Sequence, residues 1–497
     1  MRHISVPQRA ATRPAMQLYG IALLGVLSGC AVGPNFRRPA APPVTHYSNG
    51  ADPSGTAAVD GVAQNFSPGA QLTADWWQLF GSAKLDAVSS EAIANNPGLA
   101  AAQASLRASQ DNLRSGYGIF YPAVDAGAGV TRERYSPANL GQKSSGSIFN
   151  LFTLSASVSY ALDLFGGQRR MVEGLRAELD VSHATEQATY LALSANIVNT
   201  LIARAAYRAE IEATKGLIEL QKEQVKLAEV QAHAGTVPYS NVLSLLSQLS
   251  SYEATVPQLE QKSAQSDDLL SALAGHTPAE WQAPEVSLAD LTLPANLPVS
   301  LPSELVRHRP DILAAEATAH AASANIGVTT AALFPSVTLN GGLEGLTNST
   351  SSLFPANGRA WSVGAEATAP LFEGGTLWFR RKAAIAGARQ AMALYRQTVL
   401  GAFEQVADTL RALDHDAMTL AAEESALGAA NEALQLIQAN YEAGLSTYLD
   451  VLNADAQYHQ AHIAELQAVA VRYQDTVALF VALGGGWWAA QTQEIEP

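Results

Sequence analysis

A short pattern that occurs twice in the chain constrains its fold more than any other feature. Residues 233–243 read His-Ala-Gly-Thr-Val-Pro-Tyr-Ser-Asn-Val-Leu, and residues 442–452 read Glu-Ala-Gly-Leu-Ser-Thr-Tyr-Leu-Asp-Val-Leu. The two segments share Ala-Gly, Tyr and Val-Leu at one common offset. We infer that the chain is a tandem duplication and that these segments are corresponding points of its two halves.

The second copy lies between two stretches with coiled-coil periodicity. Residues that suit a coiled-coil seam recur every seven positions before and after it: Leu420, Leu427, Leu434 and Tyr441, then Leu452, His459, Leu466, Tyr473 and Phe480. Such a narrow seam is typical of packed helices. Gly444 favours the end of one helix, and Ser446 or Thr447 can cap the next. The pattern predicts a helical hairpin with its tip near 444–449, and a matching tip near 235–240.

Each tip follows a long stretch without proline, from about Gly167 to Ala234 and from about Thr376 to Ala443. As one continuous helix, each stretch would be about 100 Å long at 1.5 Å per residue. A helix of that length does not fit inside a globular core. We therefore expect a tube or a stalk.

Four shorter segments alternate between apolar and polar residues, at about 123–131, 151–163, 336–346 and 361–371. This alternation over about ten residues is typical of strands in a membrane β-barrel. A half-buried sheet in a soluble protein would show the same pattern. If these are membrane strands, four of them cannot close a barrel, because open sheet edges are not tolerated in lipid. The chain would then have to form an oligomer.

The N-terminus carries the marks of export. Residues 1–29 have a basic start and a short apolar run, which predicts a signal peptide rather than a membrane span. The run ends in Leu27-Ser28-Gly29-Cys30, which resembles a bacterial lipobox, and Cys30 is the only cysteine of the chain. One cysteine also excludes an internal disulfide framework. We expect Cys30 to become the acylated first residue, and Ala31 after it favours the outer membrane.

The remaining boundaries follow from composition. Residues 30–75 are rich in Pro, Ala, Gly and Ser and read as an extended, lipid-anchored tether. The predicted order after it is a first repeat at 76–280, a Pro-rich linker at 281–302, a second repeat at 303–485 and a C-terminal tail at 486–497.

The net charge of the chain limits the kinds of partner that it can bind. The formal net charge is -15, which argues against a nucleic-acid partner, since such proteins carry a basic surface. An acidic chain suits the handling of cations or an acidic lumen, and it also suits simple solubility.

Several short motifs are distinctive when they are taken together: Cys30-Ala31-Val32-Gly33-Pro34-Asn35-Phe36, Trp76-Trp77-Gln78-Leu79-Phe80, Arg309-Pro310-Asp311-Ile312, Phe334-Pro335, Pro370-Leu371-Phe372, and the tip Ala443-Gly444 with Asp450-Val451-Leu452-Asn453-Ala454. With these motifs the chain resembles the TolC-like outer-membrane efflux family, in its NodT-type lipoprotein branch. The resemblance covers nearly the whole chain after the signal peptide. It implies a mixed α and β membrane protein with a long α-helical coiled-coil tunnel. Three chains would contribute four β-strands each to one transmembrane barrel of twelve strands.

The role that this resemblance implies is the exit duct of a tripartite efflux pump. The implied partners are two further copies of the chain, outer-membrane lipid, a periplasmic membrane-fusion adaptor, and an inner-membrane transporter of the resistance–nodulation–division type that supplies the energy. A TolC-like duct for type I protein secretion and a periplasmic helical scaffold lipoprotein are the alternatives. A diffusion porin would need more strands and no long helices.

The resemblance also assigns residues to the periplasmic end. Leu449 and Asp450 match positions that line the pore near the last tip, and Asn453 stands where many members have a second aspartate. Asp450 could equally be a solvated carboxylate in the first turn of a helix, where it is favourable anyway. Gly235, Val237, Gly444 and Leu445 match tip positions that meet the adaptor. Simple helix termination would explain them as well.

No motif for catalysis is present. The sequence shows no nucleophile with a neighbouring base, and Gly484-Gly485-Gly486 lacks the Lys-Ser/Thr of a phosphate-binding loop. His459 and His462 have a spacing that could bind a metal, but His459 falls on the helical seam and no third ligand is near, so we interpret the pair as structural. We expect no enzymatic activity, no metal and no cofactor other than the covalent lipid on Cys30.

Overall fold

The computed structural model describes residues 31–50, 52–58, 63–135, 146–349 and 359–488. The predicted signal peptide and Cys30 lie outside the described residues. Of the predicted tail, only Gly486, Trp487 and Trp488 are described.

The helices are, in order, α1 (Ala83–Asn95), α2 (Pro97–Gly116), α3 (Gly167–His233), α4 (Tyr239–Leu273), α5 (Pro302–His308), α6 (Pro310–Ala331), α7 (Thr376–Glu442) and α8 (Tyr448–Ala482). The strands are β1 (Asn65–Pro68), β2 (Ala123–Tyr135), β3 (Ser147–Leu162), β4 (Asn296–Val299), β5 (Ser336–Thr347) and β6 (Arg359–Thr368).

The two long helices are confirmed. Helices α3 and α7 have 67 residues each and end one residue before the predicted positions. The helices that follow the two tips, α4 and α8, have 35 residues each, which supports the duplication. Seam residues predicted from the seven-residue repeat are buried, among them Leu420, Leu434, Leu452, Tyr473 and Phe480. Among the described residues, no helix combines the length and the apolar character that crossing a bilayer requires.

The chain divides into two compact units. Unit 1 consists of residues 1–38, 108–180 and 316–393, and unit 2 consists of residues 39–107, 181–315 and 394–497.

Unit 1 contains a four-stranded antiparallel sheet in the order β2-β3-β5-β6, so the four predicted strands are confirmed. The first two strands are longer than predicted, because Tyr135 still pairs with Ser147 beyond the alternating part. Strand β6 ends at Thr368 rather than at residue 371. The nearby Pro370 has no N–H to donate to a neighbouring strand, which is the physical reason for the earlier end.

The register of this sheet separates two faces across all four strands. In one row Val124 pairs with Val158, Val158 with Gly341, and Gly341 with Val363. The next row of the same face consists of Ala126, Ala156, Leu343 and Trp361. Neighbouring residues of a strand point to opposite faces, so the row of Asp125, Ser157, Gly342 and Ser362 belongs to the other face. The sheet thus has one apolar and one polar face, as the alternation predicts.

Unit 2 has an aromatic core at the end of α8. Trp76 and Phe80 are fully buried, and both rings pack against Phe480, at centroid distances of 5.5 and 6.3 Å. Tyr473 lies 6.0 Å from Phe80. The Trp-Trp-Gln-Leu-Phe motif therefore docks on the last helix.

In unit 2, two short strands lie within the segments predicted as a tether (30–75) and a linker (281–302). Strands β1 and β4, one from each segment, pair in parallel. Next to them Gln64 is fully buried, donates to the Thr476 hydroxyl at 3.2 Å, and accepts from the Arg472 Nε at 3.2 Å. Composition predicted an extended tether and a Pro-rich linker, and the structure adds that the two segments pair with each other and bury polar groups that are hydrogen-bonded.

Candidate functional site

The two hairpin tips, both in unit 2, have the same backbone conformation. At the first tip Gly235 has a φ of 74°, its N–H donates to the Ala232 carbonyl at 3.0 Å, and the Thr236 N–H donates to the Gln231 carbonyl at 3.0 Å. These two bonds define a Schellman motif, which satisfies carbonyls left over at a helix end.

The second tip repeats this motif. Gly444 has a φ of 76° and donates to the Tyr441 carbonyl at 2.9 Å, while the Leu445 N–H donates to the Asn440 carbonyl at 2.8 Å. A Cβ added to Gly235 or to Gly444 would meet no atom within 4 Å. The left-handed backbone, and not lack of space, is therefore what requires glycine at these positions.

The start of the helix after each tip is different. Helix α8 begins with a capping box, in which the Asp450 N–H points to the Thr447 hydroxyl at 3.3 Å and the Thr447 N–H donates to the Asp450 carboxylate at 2.8 Å. The Thr447 hydroxyl also donates to that carboxylate at 2.6 Å, and these bonds lower the pKa of Asp450. Helix α4 begins at Tyr239, and its N-cap residue Pro238 provides no side-chain cap. Asp450 is therefore an ionised group that also stabilises the start of its helix.

The structure places the predicted aperture residues on one short stretch of α8. Asp450 and Asn453 are exposed, three positions apart, and so lie on the same side of the helix, while Leu449 is half-buried. Val451 and Leu452 are buried on the opposite side. Of the predicted tip residues, Gly235, Gly444 and Leu445 are exposed and Val237 is half-buried. Whether these residues line a pore or meet a partner stays a prediction.

Sequence reasoning missed a set of hydrogen bonds that join α8 to the first hairpin. The Tyr448 hydroxyl donates to the Glu223 carboxylate, and this bond is the main cause that raises the pKa of Tyr448. Further along α8, the Gln460 amide donates to the Tyr252 hydroxyl at 2.7 Å. The duplication gave a partial signal for this contact, because Tyr448 corresponds to Tyr239, which is more exposed. Nothing in the sequence indicated that Glu223 is the partner of Tyr448.

A second missed feature is a pair of carboxyl groups on neighbouring helices. The Asp416 Oδ2 atom is closed off from solvent. Burial, followed by the hydrogen bond to Asp475 and the charge of Asp475, raises the pKa of Asp416 to about 7, and Arg472 opposes the shift. Two carboxyl groups at hydrogen-bonding distance favour a shared proton, because both cannot ionise without strong repulsion.

His459 lies on the seam, as predicted. Its ring is close to Gly216, where an added Cβ would come within 2.8 Å of the His459 Cε1 atom. Burial lowers the pKa of His459, which favours a neutral ring. Within the described part of the chain, no group of three or more potential metal ligands occurs.

Taken together, the paired helical hairpins, the two matching tips and a sheet with one apolar face define a class of proteins, the outer-membrane channel subunits with a helical periplasmic part. The family model described as outer membrane efflux protein matches residues 88–276 and 301–485. The chain therefore belongs to the outer membrane efflux protein family. It resides in the outer membrane and acts as the exit duct of an efflux system.

Individual relatives agree with this assignment. The chain is 30% identical over 485 residues to outer membrane protein OprJ of Pseudomonas aeruginosa, with 96% of this chain and 97% of OprJ covered. It is 26% identical over 476 residues to "Probable outer membrane lipoprotein SilC" of Salmonella typhimurium, with 95% and 99% covered. The solved structure of the outer-membrane channel OprN has a TM-score of 0.80 at 28% identity, over 92% of this chain and 100% of that one.

Proposed function

We propose that three copies of this chain form the duct and that their sheets close into one barrel of twelve strands. The observation that carries this proposal is the open sheet: within the described residues, β2 and β6 each have a neighbouring strand on one side only. All residues of these two strands are exposed in the single chain. Unpaired strand edges are costly in lipid, and joining β6 of one chain to β2 of the next removes them.

The duct is passive in this proposal. A periplasmic adaptor and an inner-membrane transporter of the resistance–nodulation–division type deliver the cargo, and the transporter supplies the energy. The duct itself catalyses no reaction and needs no cofactor, and its net charge of -15 does not suit a nucleic-acid partner.

Light scattering of the protein extracted in detergent tests the oligomer. We expect the mass of a trimer, and unheated samples should migrate in gels as a trimer, more slowly than the single chain released by heating. A stable monomer would contradict both the trimer and the barrel.

Cys30 would be the lipid anchor of each copy. It is the single cysteine of the chain and follows Leu27-Ser28-Gly29, and the relative SilC carries the word lipoprotein in its name. Mass spectrometry of the mature N-terminus should find an acylated Cys30. The Cys30→Ser variant should assemble less well without leaving the membrane fully, since the barrel is a second anchor.

Asp450 would narrow the periplasmic mouth together with Leu449 and Asn453. In a trimer, three copies of the exposed, ionised Asp450 would surround one axis. Like charges held close to one another focus a negative potential, which attracts cations. We therefore expect resting channels that conduct little, prefer cations and are blocked by multivalent cations from the periplasmic side.

Single-channel recording in planar bilayers tests this role and separates it from the capping role. Asp450→Asn removes the charge, whereas Thr447→Val removes the hydroxyl partner of Asp450 and keeps the charge. A pore role predicts that only Asp450→Asn weakens the cation preference and the block. If both variants behave like the wild type, Asp450 serves only to start α8.

The exposed tips would meet the adaptor through Gly235, Val237, Gly444 and Leu445. Leu445 supports this role, because 79% of this large apolar side chain is exposed at the end of a hairpin. Leu445→Asp should reduce capture of the adaptor. Met418→Asp, at another exposed apolar position on α7, is the control and should not.

A further inference from the structure

The first described residues of the chain, from Ala31 onward, make close contacts with the rest of unit 1. The Val32 N–H donates to the Phe165 carbonyl at 2.9 Å, immediately after strand β3. The next residue, Gly166, has a φ of 77°, and an added Cβ would come within 2.5 Å of the Cα of Ala31. The main chain of Ala31 therefore lies directly on the backbone of the β3–α3 connection.

A buried arginine holds this segment in place. The side chain of Arg170, only 6% exposed, donates to the Val32 carbonyl at 3.3 Å and to the Asn35 side chain at 2.6 Å. A further contact reaches the Gly33 carbonyl at 3.4 Å, and Glu173 pairs with the same guanidinium at 2.6 Å. A buried charge needs such partners to offset its loss of hydration, so the segment and Arg170 stabilise each other.

Two contacts with α6 continue the attachment. The ring of Phe36 stacks on His320 at a centroid distance of 4.5 Å, and His320 contacts the Glu173 carboxylate at 3.0 Å. Arg38 pairs with Glu316 at 2.8 Å. The segment 31–38, starting at Ala31, therefore packs on α3 and α6.

A groove of about 550 Å³ opens next to this starting point. Phe165, whose carbonyl binds Val32, is one of its lining residues. The other large apolar lining residues include Leu164, Met171, Val328, Phe334 and Val337. The volume lies in the range of pockets that enclose an organic ligand, about 300–1,000 Å³.

The charges of the groove favour a hydrocarbon chain over a lipid phosphate. Asp163 and Glu373 line it, and among its described lining residues there is no lysine or arginine. The Asp163 carboxylate is already paired with Arg169 at 3.0 Å. Carboxylates repel a phosphate group, so a phospholipid headgroup would be disfavoured beside the apolar surface.

We propose that this groove takes an acyl chain of the modified Cys30 of the same polypeptide. Cys30 is bonded to Ala31, so its Cα, which carries the modified side chain and the α-amino group, is about 3.8 Å from the Ala31 Cα, which lies against Gly166. The proposal rests on the proposed acylation of Cys30. It makes the lipid part of the sheet–helix junction of unit 1, in addition to being a membrane anchor.

Photocrosslinking in the complete, assembled protein tests the proposal. Cells that build their lipids from a fatty acid with a diazirine group would carry this group in the acyl chains of Cys30. After illumination, we expect peptides in which the Cys30 chain is joined to residues 162–171 or 328–337. Ala332→Trp, which fills the groove, should reduce the yield several-fold, while Ala383→Trp, at an exposed position of α7, should leave it unchanged.

The intact mass of the protein separates this proposal from the proposed acylation. If Cys30 is unmodified, both proposals fail. If Cys30 is acylated but its chain crosslinks only to phospholipid or to other segments, or if Ala332→Trp has no effect, the groove proposal alone is overturned. A Cys30→Ser chain exported with an ordinary signal peptide is the final arm. Groove crosslinks to bulk lipid at the wild-type yield in that chain would mean a general lipid site and would also overturn it.

Discussion

Val363 and Ser362 are neighbours on the edge strand β6, and replacing each with lysine tests the orientation of the sheet. Val363 pairs with Gly341 in the apolar row, whereas Ser362 pairs with Gly342 in the polar row. Both substitutions introduce the same charge in the same strand. They differ only in the face on which the lysine lies, lipid for Val363→Lys and lumen for Ser362→Lys in the proposed barrel.

The size of the expected difference follows from the position along the strand. Strand β6 has 10 residues, so it extends about 34 Å and crosses about 24 Å of membrane at a tilt of about 45°. Val363 is its fifth residue and therefore lies close to the middle of the apolar layer. A lysine facing lipid there costs about 2–4 kcal/mol. Since about 1.4 kcal/mol is tenfold, the folding equilibrium should fall by a factor of roughly 30 to 800.

Urea unfolding of the protein in lipid vesicles, followed by the loss of the slowly migrating trimer in unheated gels, measures this difference. Val363→Lys should unfold at clearly lower urea, and Ser362→Lys should stay close to the wild type. The substituted side chains are exposed in the single chain, so loss of core packing does not contribute to either result. Equal destabilisation by the two lysines, or a larger effect at Ser362, would refute the assignment of the apolar face to lipid.

Three further predictions concern unit 2. Tyr448→Phe removes the hydroxyl that donates to Glu223, so the second tip should be held less firmly and the resting conductance of reconstituted channels should rise. A conductance equal to that of the wild type would argue that this hydrogen bond does not hold the tip. Gly444→Ala should lower the free energy of unfolding by about 1–2 kcal/mol, because it forces alanine into a left-handed conformation. Gly428→Ala, inside α7, should raise the free energy of unfolding by up to about 1 kcal/mol. Equal effects of the two substitutions in denaturant unfolding would contradict the argument. The raised pKa of Asp416 means that the folded state binds the shared proton more tightly than the unfolded state does. The free energy of unfolding should therefore decline as the pH rises from about 4 through about 7. Asp416→Asn should remove that decline in unfolding curves recorded across this range.

Much of the fold could be predicted from the sequence, because the relevant signals are local. The seven-residue repeat around Leu420 and Phe480 and the alternation through β2 to β6 are written in consecutive residues, and the periods of 3.5 and 2 follow from backbone geometry alone. Glycine at 235 and 444 predicted the helix ends for a similar reason, since the need for a left-handed backbone is a property of one residue. Burial of the seam and the positions of the four strands then agreed with these expectations.

The details of the site depend on contacts between residues that are far apart in the chain. Glu223 and Tyr448 are separated by 225 positions, and Asp416 meets Asp475 only because α7 and α8 pack along one seam. Gln64 lies in the segment predicted as an extended tether, and its bond to Thr476 beside the paired strands β1 and β4 was not indicated by the sequence. Periodicity shows which face of an element is buried, but not which residue lies opposite. The sequence therefore determined the secondary-structure elements, their repeat and the family. Tertiary packing decided the partner of each polar group, the pKa of that group and the place where the N-terminal segment binds.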